Sequence, residues 1–327
     1  MTRFITFAWM FVALTFSASS MASTPLQEGY ELNLIDAHGE IQKAKQAILI
    51  EDYDTALRIL RPLADNGDPV AQLNLGVMHR RGHGVEQDEA RGLELYRLSA
   101  EQGFAGGQHN LGALLFNSAK TPDERIAAVK FFRLAADQGN APSAHVLDEL
   151  FSIGLEAAKN GNFEVALREW LPLADNGSAR AQMNLGTMYA KGDGVEKDPE
   201  LAFGWYLKAA EQGIAKGQFL VGQMLQDGEG TERNPVDALS WFLRSAKQGD
   251  TNSQMIISAA LALGEDVKRD VWGALYWGYA AQIEGSEDAD KVVEMLERAL
   301  LKKTNQTKLD QLKELVRECV EKKYEGC

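Results

Sequence analysis

Cysteine is nearly absent from this chain. Only Cys319 and Cys327 occur among 327 residues, both near the C-terminal end. A disulfide framework therefore cannot hold the body together, and packing must. Positive charge is also short: 34 Lys and Arg stand against 47 Asp and Glu, a formal charge of −13. That balance argues against nucleic acid and against anionic membrane surfaces as partners. Of the five histidines, His38, His109 and His145 stand alone. Ser143 lies near His145, but no Gly-x-Ser-x-Gly elbow and no third partner accompany it. No HExxH is present, and acidic residues are so widespread that no carboxylate pair stands out as acid and base. Beyond the N-terminal stretch no apolar run is long enough to span a bilayer; Met255–Leu263 is short and reads as a buried helix. These absences speak against an enzyme and imply no cofactor and no metal.

What is present is a ruler of glycines. Gly67, Gly103, Gly139, Gly177, Gly213, Gly249 and Gly285 each close a similar tripeptide, 36 residues apart except for one gap of 38. A fixed period of this size marks an array of supersecondary units stacked on one another.

Residues 178–213 show the grammar of one unit. Ala181, Leu185, Met188 and Tyr189 fall at helical spacing. Gly192 suits the left-handed close of that helix. Asp198-Pro199 reads as an N-cap followed by a first-turn proline. Leu201, Ala202, Trp205, Tyr206, Ala209 and Ala210 form the inner face of a second helix ending at Gly213. The same order recurs elsewhere: Ala71-Gln72, Gly107-Gln108, Gly217-Gln218 and Ser253-Gln254 open first helices, and Gly76, Gly186 and Gly222 let paired helices approach. Bulky residues at 95, 131, 205, 241 and 277 read as core, and the glutamine column as architecture bonding to a neighbouring helix. The expected fold is all-α, an α/α solenoid of helix pairs.

A longer symmetry overlies the first. Residues 53–106 align with 163–216 without a gap at an offset of 110, as in Pro62-Leu63-Ala64-Asp65-Asn66-Gly67 and Pro172-Leu173-Ala174-Asp175-Asn176-Gly177. A duplicated block of about three units is implied. The expected divisions are a leader at 1–22, a polar lead-in at 23–40, a first repeat block at 41–142, a second at 143–285 and capping helices at 286–327. The charged amphipathic stretch Leu296–Lys323 supplies the polar outer face that an array end requires.

These residues resemble the Sel1-like repeat family, relatives of the tetratricopeptide repeats. The family pattern A-x-x-x-L-G-x-x-Y-x-x-G-x-G-V-x-x-D-x-x-x-A-x-x-W-Y-x-x-A-A-x-x-G is met almost throughout 181–213. The resemblance covers about 40–285. Unit 104–139 departs from it, because Asn117-Ser118-Ala119-Lys120 replaces the Gly-x-Gly-Val loop; Thr121-Pro122-Asp123-Glu124 should still start the second helix, about one turn early. The resemblance implies a non-enzymatic scaffold or adaptor that binds protein partners on the concave face of the solenoid, in envelope assembly or the regulation of signalling. The alternative it raises is a protein that binds or hydrolyses cell-wall glycan or β-lactams; a glycan-binding module is a third reading.

Met1-Thr2-Arg3, an apolar run from Phe4 to Phe16 and small residues to Ala22 describe a secretory leader cleaved after Ala22. Retention as an anchor is the competing reading; the run is short for a span of about 20 residues. The mature chain would be periplasmic or secreted, without stable membrane insertion, and would carry −14, one less than −13 because only Arg3 is lost. In an oxidising compartment Cys319 and Cys327 would pair. A continuous helix would hold them about 12 Å apart, so pairing requires the tail to fold back near Gly326. Free or intermolecular thiols are the other possibility.

Two places break the repeat and are candidate partner contacts. One is His79, Arg80, Arg81 and His83, a cationic spot on an acidic chain. The other is the loop from Asn117 to Lys120. His79 and His83 have the spacing of two metal ligands on one helix, but Gly82 should end that helix first.

Overall fold

The computed structural model describes residues 39–302 and 304–327. The leader, His38 and all of the lead-in but its last two residues lie outside the described residues. Among those described there are sixteen α-helices and no strand. In chain order they are α1 (Gly39–Leu49), α2 (Tyr53–Asp65), α3 (Pro69–Arg81), α4 (Glu89–Glu101), α5 (Ala105–Ser118), α6 (Pro122–Asp137), α7 (Ala141–Lys159) and α8 (Phe163–Asp175). They continue with α9 (Ala179–Lys191), α10 (Pro199–Glu211), α11 (Ala215–Asp227), α12 (Pro235–Ala246), α13 (Thr251–Leu263), α14 (Val271–Ile283), α15 (Ala289–Leu301) and α16 (Gln306–Glu321). From α1 to α15 each helix packs on the next, giving a solenoid of helix pairs.

Local chemistry sets the boundaries. The Ser178 side chain accepts from Ala181 N–H to start α9, and Gly192, at φ 79°, closes it. The Asp198 carboxylate accepts from Leu201 N–H at 2.9 Å, with Pro199 in the first turn of α10. In the unit without a glycine loop, Glu124 N–H donates to Thr121 Oγ1 at 3.2 Å and Thr121 N–H donates to Glu124 Oε2 at 3.1 Å. This reciprocal cap starts α6 at Pro122, three residues earlier than the register of α4 would place it.

The paired helices meet at a glycine and a ring. Gly76 lies on Tyr96, Gly186 on Tyr206 and Gly222 on Phe242. A Cβ at these glycines would stand 2.8, 2.6 and 2.7 Å from the respective ring atoms. Tyr96, Tyr206 and Phe242 are buried. The bulky column at 205 and 241 is therefore not the one that closes the pairs. Trp205 and Trp241 are half-buried and carry Lys208 and Arg244 over their rings at 4.0 and 4.4 Å. Consecutive helical residues point about 100° apart, and the axis of the pair passes through the second.

A ladder of amides ties successive pairs. Gln182 Nε2 donates to Ala174 O at 2.9 Å, and Gln182 Oε1 accepts from Gln212 Nε2 at 2.7 Å. Gln72 and Gln218 repeat both contacts, and Gln108 accepts from Gln138. Every amide in the column is buried, so each bond satisfies a group that would otherwise be costly.

At the C-terminal end α16 packs on α14. The chain turns at Lys323 and Tyr324, φ 50° and 62°, and a disulfide joins Cys319 to Cys327 with their Cα atoms 6.0 Å apart. The turn seats Tyr324 on Trp277, ring centroids 5.7 Å apart, and Gln254 Nε2 donates to its hydroxyl at 2.8 Å. Burial first, and then the Glu284 carboxylate, raise the pKa of that phenol.

Candidate functional site

The cationic segment ends α3 and enters the α3–α4 loop. His79 lines a cleft of about 600 Å³ together with Arg61 of α2, Asp88 and the loop from Gly84 to Gln87. Its Nδ1 is buried without a hydrogen-bond partner. Burial pushes its pKa below the usual histidine value; the charges of Arg91 and Arg61 add to this, and Asp88 opposes it. The charge of the lining is mixed, with Arg61 on one side and the carboxylates of Glu86 and Asp88 on the loop.

The other members of the segment take different positions. Arg80 is half-buried and lays its aliphatic stem against α4 at Gly92, while Arg81 is exposed. The His83 ring stacks on Tyr53, centroids 4.8 Å apart. Gly82, at φ 68°, ends α3 between the two histidines. No group of three or more His, Cys, Asp or Glu side chains among the described residues is arranged to hold a metal ion.

Asn117 and Lys120 are exposed near the α5–α6 junction, in the following unit. Lys120 N–H donates to Glu124 Oε2 at 2.6 Å, so its backbone is engaged in starting α6. The structure places the two candidate patches on corresponding loops of successive units and does not merge them.

Reading along the chain missed Arg61 and Arg91, because the first arrives from a different helix. The offset of 110 reveals both. Their counterparts in the second block are Leu171 and Leu201, as Tyr189 and Asp193 are those of His79 and His83. The arginine and histidine wall of the cleft is particular to the first block, whereas its acidic loop residues Glu86 and Asp88 recur in the second as Glu196 and Asp198.

One histidine read as solitary has a partner. His109 Nδ1 and Ser143 Oγ lie 2.8 Å apart, both residues buried, one on α5 and the other on α7. Ser143 is 0% exposed, so this pair acts as a tie between helices and offers no nucleophile to a substrate. A buried ion pair joins Arg125 of α6 to Glu169 of α8, with the guanidinium also 4.1 Å from the centre of the Phe116 ring. Neither contact, across 34 and 44 residues of sequence, has a local signal.

A family model described as Sel1 repeat matches residues 69–104, 105–140, 179–214 and 215–250. No curated protein matches. Among solved structures, the chain is similar to a protective antigen present in uropathogenic Escherichia coli strains, which displays an SLR fold. Identity is 29% over 84% of this chain and 57% of that one, with a TM-score of 0.44. A Sel1 repeat protein from Oxalobacter formigenes is 26% identical over 75% of this chain and 97% of that one, TM-score 0.37. An immunity protein from Pseudomonas aeruginosa is 19% identical over 83% and 84%, TM-score 0.26. The chain spans less than two thirds of the length of the E. coli antigen.

Proposed function

Because the chain carries four Sel1 repeats, a fold that generally mediates protein–protein interaction and is typically a non-catalytic scaffold, we propose that it is an exported scaffold or adaptor. It binds protein partners over the concave face of its solenoid, in the periplasm or outside the cell, in envelope assembly or the regulation of signalling. Export is supported by the leader-like start at 1–22. No helix among the described residues is long and apolar enough to cross a membrane.

The observation that carries the docking site is the charged cleft. Arg61, His79 and Arg91 stand together in one block of a chain whose net charge is −13, where the other block has Leu171, Tyr189 and Leu201. An array repeats what its frame needs, and what one block alone carries distinguishes a partner. On this reading Arg61, on the wall away from the loop carboxylates Glu86 and Asp88, receives an anionic side chain of that partner, and Asn117 and Lys120 on the next unit's loop make a separate contact. Photocrosslinking from positions 85 and 87, which line the cleft and are untouched by the exchange below, in living cells, followed by mass spectrometry, tests the reading. It is supported by a recurrent protein adduct at both positions that is lost when all four of His79, Arg80, Arg81 and His83 are exchanged for their second-block counterparts. Adducts indifferent to that exchange would remove the cleft from the proposal.

A further inference from the structure

The amide ladder has a gap. Its glutamines are the fourth residues of α3, α5, α9, α11 and α13, namely Gln72, Gln108, Gln182, Gln218 and Gln254. The fourth residue of α7 is Ala144. Gln72, Gln182, Gln218 and Gln254 each donate to the carbonyl eight residues earlier, as Gln72 does to Ala64 and Gln182 to Ala174. That place before Ala144 belongs to Ala136. Ala136 O accepts from Gly139 N–H, as Ala174 O does from Gly177 N–H, but no glutamine reaches it. The second partner has changed as well: Asn176 stands where Gln212 stands in the following unit. Asn176 turns its amide away, donating to Ile126 O and Pro172 O at 2.9 Å each.

The missing side chains leave space. Ala136, Ala144 and Asn176 together line a cavity of about 220 Å³ that opens between α6, α7, α8 and the start of α9. The five ladder glutamines are 0–5% exposed, whereas Ala144 is exposed. The floor holds Leu147 and Phe151, and Arg180 lies over the Phe151 ring while paired with Asp148 at 2.6 Å. Sites for whole small molecules begin at about 300 Å³, so this cavity suits a single side chain.

We propose that this gap is a binding site for the side-chain carboxamide of a glutamine presented by a partner protein. The incoming amide takes the place of the absent ladder glutamine: its N–H donates to Ala136 O, and its methylenes lie on Leu147 beside Phe151. A carboxylate cannot donate that bond, and a thioether fills the volume without it. The role of a partner rests on the scaffold reading; the vacancy itself does not.

The test uses the whole chain and no partner. N-acetylglutamine N-methylamide, and its glutamate and methionine analogues, are titrated while backbone amide resonances are followed by NMR. The expected result is saturable shifts around Ala144 and Asn176 at roughly millimolar glutamine analogue, at least about tenfold weaker with either other compound. Ala144→Gln should supply the missing side chain from within, raise the melting temperature and abolish the shifts. Ala144→Leu, which fills the space without an amide, should abolish the shifts without raising the melting temperature to the same extent. Absence of shifts with the glutamine analogue, equal response to methionine, or shifts that persist in the filled variants would overturn the site. None of these outcomes bears on the charged cleft, which lies in another unit.

Discussion

The ring of Tyr206 lies against Gly186 so closely that a Cβ on the glycine would stand 2.6 Å from ring atoms Cδ1 and Cε1. Its hydroxyl donates to Thr187 Oγ1 at 3.1 Å, on the same helix as the glycine. One contact thus fixes both the spacing and the rotation of α9 on α10. Gly186→Leu should overpack the pair and cost about 1–3 kcal/mol. Tyr206→Phe should keep the packing and lose about 0.5–1.5 kcal/mol, the net worth of one hydrogen bond. Urea denaturation checks both; an unchanged Gly186→Leu midpoint would contradict the assigned packing.

The Arg125–Glu169 pair sits at the join between blocks, with side chains 15% and 4% exposed. Removing one partner strands a buried charge. Glu169→Ala should therefore destabilise by about 3–5 kcal/mol, whereas Arg125→Met with Glu169→Met should recover most of that loss. A double-mutant cycle measured by thermal unfolding should show a coupling well above about 1 kcal/mol.

Acidification should act on His79 in two ways. Its pKa in the folded chain lies below the ordinary value of 6.5, so the unfolded chain binds the proton more readily. The associated stability is complete above about pH 6.5 and is lost as pH falls through the folded value. A melting temperature that declines between pH 7 and pH 5, and less so in His79→Tyr, is the expected observation. Partner capture should move the opposite way: a bound anionic segment favours the protonated ring, so capture should tighten on acidification and weaken with salt, the charges being screened over about 8 Å.

Exchanging His79, Arg80, Arg81 and His83 for Tyr, Ala, Lys and Asp should leave stability within about 1 kcal/mol, since the second block already folds with those residues. Capture of the crosslinked partner should fall, and its salt sensitivity with it. Undiminished capture by the stably folded variant would shift attention to Asn117 and Lys120.

Reduction of Cys319–Cys327 should release the turn that seats Tyr324 on Trp277. Closing so short a loop is worth about 2–3 kcal/mol. In an array such a loss is felt locally. Hydrogen exchange should accelerate in α15 and α16 of the Cys319→Ser, Cys327→Ser variant while α3–α12 keep their protection. Uniform acceleration along the chain would show that the end cap holds the entire array.

The sequence by itself determined the units, their order and their caps. Gly192, Asp198 and Thr121 act on groups within four residues of themselves, and such chemistry is written locally. The glutamine column and the glycines of the first helices were visible as columns because the repeat prints them at a fixed period. Their partners were not. Gln182 meets Gln212 across 30 residues, and Tyr206 rather than Trp205 meets Gly186, because the crossing of two helices selects one of two adjacent positions. The tertiary structure alone decided the charged cleft, where Arg61 of α2 meets His79 of α3, the His109–Ser143 tie and the opening at Ala144. Each is made by side chains from different helices. A side chain's neighbours across such a gap follow from how helices stack, and no stretch of sequence contains that information in one place.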